Sequence, residues 1–323
     1  MQFPRLFRLH ILPKEERMNH TKNVFLWICL LVMLSVAAPG VRGDGFLYSG
    51  GQYTTINVPG ATDTAASGIN NLGQIVGSYT TGHGAGELSY GFLDVGGTFT
   101  SISVPGATFT FANGINDLGQ IVGYSCSSGT CNGFLDNGGV FTTIRVPGAS
   151  ETLVGGINNS GQIVGESCGN PCTGSSGFLF SRGVYTPINY PGAIDTFPNG
   201  INDARQIAGT LYLGGLGGPG FVYSGGAFTT INAPGTIETD FSGINNSGQI
   251  VGTAYYLNGP PQGFEYNGGI FTPINDPKGS ETLASGINDS GQIVGQFVVS
   301  AEPSTLLLLC TGLFSLGILM RRH

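Results

Sequence analysis

Basic and catalytic side chains are scarce in this chain of 323 residues. Charged residues make up 10% of it, and acids outnumber bases 19 to 12. Between Asp44 and Ser300 the imbalance is steeper, 16 acidic side chains against Arg145, Arg182, Arg205 and Lys278. Such a surface repels phosphate backbones and anionic lipid, which excludes nucleic acid and anionic membranes as partners of this region. Histidine is rarer still, with His83 the only one between Gly43 and Pro303. One histidine cannot build a histidine-rich metal centre, and no serine has an evident histidine partner. His83 reads as a solvated loop residue. The single tryptophan, Trp27, lies in an N-terminal apolar run, so stacked tryptophan platforms for sugar are excluded and only the 12 tyrosines could replace them. No apolar stripe recurs at helical spacing, which leaves almost no room for helix.

What the chain has instead is glycine, 56 residues of it, and repetition. The glycine of a "GIN" word falls at 68, 114, 156, 200, 243 and 286, and that of a "GF" word at 45, 91, 133, 177, 220 and 263. Both series step by 46, 42, 44, 43 and 43 residues, the mark of a repeat architecture. One unit reads GFLYSGG, YTTINVPGA, a short link, TAASGIN and NLGQIVGSY. Segments 80–90 and 211–219 are the variable loops. "GGLGGPG" from Gly214 resembles a phosphate loop only superficially, because it lacks a following helix and the Lys-Ser/Thr pair.

Each unit offers four short strands separated by Gly, Asn and Pro-Gly turns. In GQIVGSY, Ile75 and Val76 face opposite sides and are both apolar. Strands covered on both faces suit the blades of a β-propeller, and the small residues of TAASGIN suit its crowded inner strand. The expected order, inner to outer, is TAASGIN, GQIVGSY, GFLYS, YTTINV. The expectation is an all-β, six-bladed propeller of four-stranded, kelch-like blades without the kelch tryptophan. The chain enters on two outer strands and leaves on two inner ones. Residues 45–58 would therefore pair with 281–298 and close the ring without an open edge. The alternative is a β-solenoid, which would need polar capping units at its ends.

The words A-x-G-I-N-x-x-G-Q-I-V-G, G-F-L and I-x-x-P-G, six times over residues 45 to about 298, resemble the HAF-type extracellular repeat family. The resemblance implies an exported bacterial protein and brings no catalytic residues.

The ends read as addresses. Asn23–Ala38 is an apolar run preceded by Lys22 and followed by small residues, the layout of a secretory signal. Residues 1–43 are assigned to it, with cleavage after Gly40 or Gly43, and Met18 is a second candidate start. Residues 44–300 are the repeat domain. In residues 301–323, Thr305–Met320 is apolar and Arg321 and Arg322 nearly end the chain, the pattern of a short membrane segment with its bases on the cytoplasmic side. With Glu302, Pro303 and Ser304 ahead of it, this tail resembles a PEP-CTERM sorting signal, although Ala301 stands where that motif has its first proline. The resemblance implies transient membrane insertion, and an exosortase-type enzyme as partner in a Gram-negative bacterium that exports polysaccharide.

Two candidate sets of site residues remain. Cys126 with Cys131, and Cys168 with Cys172, flank successive hairpins and read as two local disulfides of an oxidising compartment, with a four-cysteine zinc site as the alternative. Five residues before each GIN glycine stand Asp63, Phe109, Glu151, Asp195, Glu238 and Glu281, each followed by Thr. In a propeller these acids form a broken ring on one rim of the channel, able to draw Ca²⁺ or a basic partner. The alternative is that Asp/Glu-Thr only caps a turn and solubilises the rim. Asn70, Asn116, Asn158, Asn202, Asn245 and Asn288 read as turn formers. Asp117, Asp203 and Asp289 follow three of them without calcium-loop spacing.

No catalytic residues, cofactor or firmly assigned metal emerge. The leading reading is a non-enzymatic surface or matrix protein tied to exopolysaccharide in the cell envelope. One alternative is a protein-binding or sensing propeller that uses its variable loops. A polysaccharide-degrading propeller would need one unit to depart from the others with paired carboxylates.

Overall fold

In a computed structural model, residues 42–82, 87–169, 172–215 and 217–299 are described. His83 and the terminal segments assigned to export and sorting lie outside these residues. The described residues hold 24 strands and no helix.

The strands form antiparallel units of four. The first unit is β3 (Asp63–Ile69), β4 (Ile75–Thr81), β5 (Leu88–Val95) and β6 (Thr98–Ile102). The second is β7 (Phe109–Ile115), β8 (Gln120–Ser127), β9 (Thr130–Asn137) and β10 (Val140–Ile144). The third is β11 (Glu151–Ile157), β12 (Ile163–Cys168), β13 (Ser175–Ser181) and β14 (Val184–Ile188). The fourth is β15 (Asp195–Ile201), β16 (Ile207–Tyr212), β17 (Gly220–Ser224) and β18 (Ala227–Ile231). The fifth is β19 (Glu238–Ile244), β20 (Ile250–Tyr255), β21 (Gln262–Asn267) and β22 (Ile270–Ile274).

The last unit joins both ends of the described chain. β23 (Glu281–Ile287) and β24 (Ile293–Val299) are completed by β1 (Arg42–Ser49) and β2 (Gln52–Ile56). β1 pairs with β24 from Arg42↔Val299 to Tyr48↔Ile293. This pairing makes a closed β-propeller and overturns the solenoid alternative, whose ends would stay apart. β1 also starts at Arg42, two residues before the expected boundary at Asp44. The backbone N–H of Gly43 donates to Asp63 Oδ1 at 2.8 Å, which ties this extra turn of strand to the first unit.

The apolar pairs explain the closure. Val76, Val122, Val164, Val251 and Val294 each pack into the core cluster of the following unit. Their neighbours Ile75, Ile121, Ile163, Ile250 and Ile293 pack into their own unit's cluster. The Phe of each GF word (Phe46, Phe92, Phe134, Phe178, Phe221, Phe264) is at most 3% exposed. It meets an outer-strand ring edge to face, as Phe92 does with Phe99 at 5.7 Å. The glycine of IVG makes room for it, since a Cβ on Gly77 would lie 2.7 Å from the Phe92 ring.

The inner strands meet at the GIN glycines. A Cβ on Gly68 would lie 3.2 Å from the Cα of Gly114, and one on Gly286 would lie 3.1 Å from that of Gly68, which completes the circle. Each inner strand also carries a β-bulge one residue earlier, where the register shifts between Ala66 and Gly68 or their equivalents. The bulge bends the strand and turns the extra residue toward the channel.

Gly156→Ala is expected to cost about 1–3 kcal/mol by overpacking, because its Cβ would lie 2.7 Å from the carbonyl oxygen of Asn199. Gly169→Ala, in open space, should be close to neutral. Urea unfolding of both variants checks the difference.

Candidate functional site

The hairpin after each inner strand carries two polar residues. The first is always Asn, buried, and its side chain does more than form a turn. Its Oδ1 accepts from the backbone N–H four residues on at 2.9–3.0 Å. Its Nδ2 donates to the Gln of its own hairpin at 2.7–3.0 Å. The same Nδ2 donates to the carbonyl of the equivalent Asn in the next unit at 3.0–3.1 Å. The belt runs Asn70, Asn116, Asn158, Asn202, Asn245, Asn288 and back to Asn70.

The second residues alternate between amide and acid. They are Asn71, Asp117, Asn159, Asp203, Asn246 and Asp289. Each backbone N–H donates to the next unit's Oδ1 at 2.8–2.9 Å. Each Asn Nδ2 bridges the Oδ2 atoms of both neighbouring aspartates at 2.8–3.1 Å. Every aspartate thus accepts from two amides. Burial opposes ionisation of Asp289, yet the hydrogen bonds from Asn246 and Asn71 outweigh it and hold the carboxyl below its ordinary value. The alternation was readable in the words GINN and GIND, but its meaning depends on ring closure.

These two rings line a cavity of about 70 Å³ at one mouth of the channel. A second cavity of about 80 Å³ follows, lined by the bulge residues and the GIN glycines. The six isoleucines of the GIN words line both. At the bulge level Asn113 and Asn199 reach into the next unit and donate to the carbonyls of Val154 and Phe241, each at 2.8 Å.

The five acids predicted on a rim start the inner strands, at the end away from the Asn/Asp mouth. The Thr after each acid is the latch of the turn. Thr64, Thr110, Thr152, Thr196, Thr239 and Thr282 each accept from the backbone N–H six residues earlier at 3.0–3.2 Å. The acids are then free to enter the clefts between units. Asp63 Oδ1 accepts from Gly43, and Asp195 Oδ1 accepts from the N–H of Ser175 at 2.6 Å, both in the preceding unit. Among the described residues no three His, Cys, Asp or Glu side chains gather closely enough to hold a metal ion by themselves. Phe109 occupies the acid's place in the second unit, and its backbone makes a single parallel bridge to Ser89.

Two units depart from the repeat with an additional half-buried acid, which the near-identity of the words had hidden. In the cleft between the fourth and fifth units, burial first, and then the Asp240 charge, push Glu238 up to about 8. Burial also pushes Asp240 up to about 6, although hydrogen bonding to neighbours that include Glu238 and Tyr255 opposes the shift. In the cleft between the third and fourth units Glu166 is held well above its ordinary value, by burial and then by the charge of Asp195 with a smaller contribution from Glu151, although the nearby Ser175 hydroxyl opposes the shift.

The cysteines form two disulfides, Cys126–Cys131 and Cys168–Cys172. The zinc alternative is thereby removed, because bridged sulfurs are not thiolate ligands. Glu302, Pro303, Ser304, Arg321 and Arg322 lie outside the described residues.

No family model matches the chain, and no curated protein matches it in sequence. Among solved structures it is similar to a TolB candidate from Agrobacterium tumefaciens, with TM-score 0.54 and 12% identity over 82% of this chain and 99% of that one. It is also similar to TolB from Acinetobacter baumannii, with TM-score 0.51 and 12% identity over 81% of this chain and 65% of that one. At such identity the likeness is one of fold.

Asp117→Asn would place an amide donor against the amides of Asn71 and Asn159. A loss of about 1–2 kcal/mol is expected in urea unfolding. The Glu238–Asp240 pair also sets a pH dependence. Both carboxyls titrate higher in the folded state than in the unfolded chain, so the folded state holds protons that the unfolded chain has released. Stability should therefore fall as pH rises from the ordinary carboxyl range through about 8. Melting temperatures at pH 5 and pH 8 in metal-free buffer should show the fall, and Asp240→Asn should reduce it.

Proposed function

We propose that this chain is an exported, non-enzymatic protein of the cell surface or extracellular matrix, associated with exopolysaccharide and built as a six-bladed, kelch-like propeller. The observation that carries the reading is the uniform outer edge. The outer strands read QYTTI, TFTSI, VFTTI, VYTPI, AFTTI and IFTPI. Each presents a half-buried aromatic ring between exposed residues that are mostly hydroxyl-bearing. A ring of equivalent hydroxyl and aromatic edges suits a polymer of repeating sugars better than a single small substrate. Pro187 and Pro273 on two of these edges also block pairing with a further strand.

Further support comes from the size of the channel cavities, about 70 and 80 Å³. Sites for small organic ligands span roughly 300–1,000 Å³. The paired acids that a glycoside-cleaving enzyme needs are present in the interunit clefts, but no substrate-sized cavity joins them among the cavities described. The two disulfides suit an oxidising compartment. The secretory layout of residues 1–43 and the sorting-signal resemblance of residues 301–323 support export and a surface address, with an exosortase-type enzyme as the processing partner.

The purified protein is expected to bind the exopolysaccharide of the producing cell saturably, and binding should weaken when exposed threonines of several outer strands are replaced together. Absence of binding would sink the matrix reading and favour a protein partner contacted through the loops at 80–90 and 211–219.

A further inference from the structure

The cleft between the third and fourth units contains more unmet polar groups than its architecture requires. Glu166 lies on β12, one residue after the IVG glycine, where the other units carry Ser78, Tyr124, Thr210, Thr253 and Gln296. Its Oε2 is buried and has no hydrogen-bond partner. The Ser175 side chain, at the start of β13, is 5% exposed, and its hydroxyl lies near enough to Glu166 to favour the ionised carboxyl without forming a well-made hydrogen bond to it or to any other group. Asp195, 8% exposed, enters the cleft from β15 and is anchored through Oδ1 to the Ser175 backbone. Glu151 starts β11 beside the same place, and the charges acting on Glu166 are those of Asp195 and Glu151.

A buried carboxylate oxygen and a buried hydroxyl that face each other without a well-formed hydrogen bond are each costly. Two neighbouring acids in the same cleft raise that cost, because like charges repel strongly where water is excluded. A bound cation removes all three penalties together. We propose that this cleft binds a divalent, oxygen-preferring cation of the calcium class, ligated by Glu166, Asp195 and the Ser175 hydroxyl, with Glu151 adding charge nearby.

The donor set is oxygen only, which disfavours zinc and copper. Its members come from three strands in two units. Calcium accepts such irregular sets of 6–8 oxygens and fills the remainder with water, whereas magnesium demands a near-ideal octahedron. The Cys168–Cys172 disulfide lies beside the cleft, because Cys168 pairs with both Glu151 and Ser175 across the sheet. It ties the end of β12, which carries Glu166, to the segment that leads into β13 at Ser175. The bound ion would fasten the third unit to the fourth. This site is independent of the polysaccharide role proposed above, and its test involves no polysaccharide.

The test is a thermal melt and a calorimetric titration of the full-length protein at pH 7.5, in EDTA and in CaCl₂. Calcium should raise the melting temperature of the wild type, with a Kd of roughly 10⁻⁴–10⁻³ M as in extracellular calcium modules. Glu166→Gln should melt higher than the wild type in EDTA, since it removes the buried charge, and should lose the calcium response. Ser175→Ala should keep the fold and bind calcium at least several-fold more weakly. Glu238→Gln, in the next cleft, should respond to calcium as the wild type does. An equal calcium response in the wild type and Glu166→Gln would overturn the proposal. So would a wild type that ignores calcium, which would make Glu166 a buried proton carrier. Unchanged affinity in Ser175→Ala would overturn the assigned ligand set.

Discussion

The structure depends on six inner strands meeting backbone to backbone. At the GIN glycines, neighbouring strands approach so closely that a methyl group has no place in the circle, from Gly68 through Gly286 and back to Gly68. That approach sets the radius of the channel. Once the radius is fixed, the valines of successive IVG words reach the next unit's core, and the GF phenylalanines fill the space that the IVG glycines leave open. The hairpins beyond the glycines are then held close enough for each Asn side chain to bond the next unit's carbonyl. Packing, polar belt and closure are therefore consequences of one steric condition, met by the smallest residue at six positions.

Much of this was legible in the words. The period gave six units, the two-sided apolar pair IV gave sheets covered on both faces, and the phase of the repeat gave pairing of the first and last strands. The cysteine positions gave two hairpin staples. The acids were harder. Their place at the start of each inner strand was readable, but their direction was not. A bulge three residues after Thr64 and its equivalents alters the pleat, and the Thr hydroxyl takes the capping role that the sequence shared between both residues. The acids thereby enter the clefts between units. Glu166 and Asp240 were invisible for a different reason. Each is a single departure inside a repeated word, and only the neighbouring unit reveals that it meets other acids.

The departures also show how a uniform ring acquires local character. The backbone frame of the units is shared, so a side chain placed one residue after the IVG glycine can reach the start of the next inner strand, although Tyr124 stacks on Phe111 of its own unit instead. With Gln296 the neighbour is Asp63, whereas with Glu166 it is Asp195. The same address can hold a neutral contact in one cleft and concentrated charge in another, and the fold need not change to accommodate it. This separates the features that keep the ring closed from those that vary between its clefts.

The Asn/Asp ring carries a further implication for how such a protein can change in length. Each aspartate is flanked by two asparagines and each asparagine by two aspartates. A circle with this two-letter alternation closes only when the number of units is even. Loss or duplication of one repeat by recombination would put two acids, or two amides, side by side at the channel mouth. The ring therefore carries a parity, and an odd array would set one like pair at the mouth, tolerable where two amides meet, since each both donates and accepts, and unfavourable where two carboxylates do.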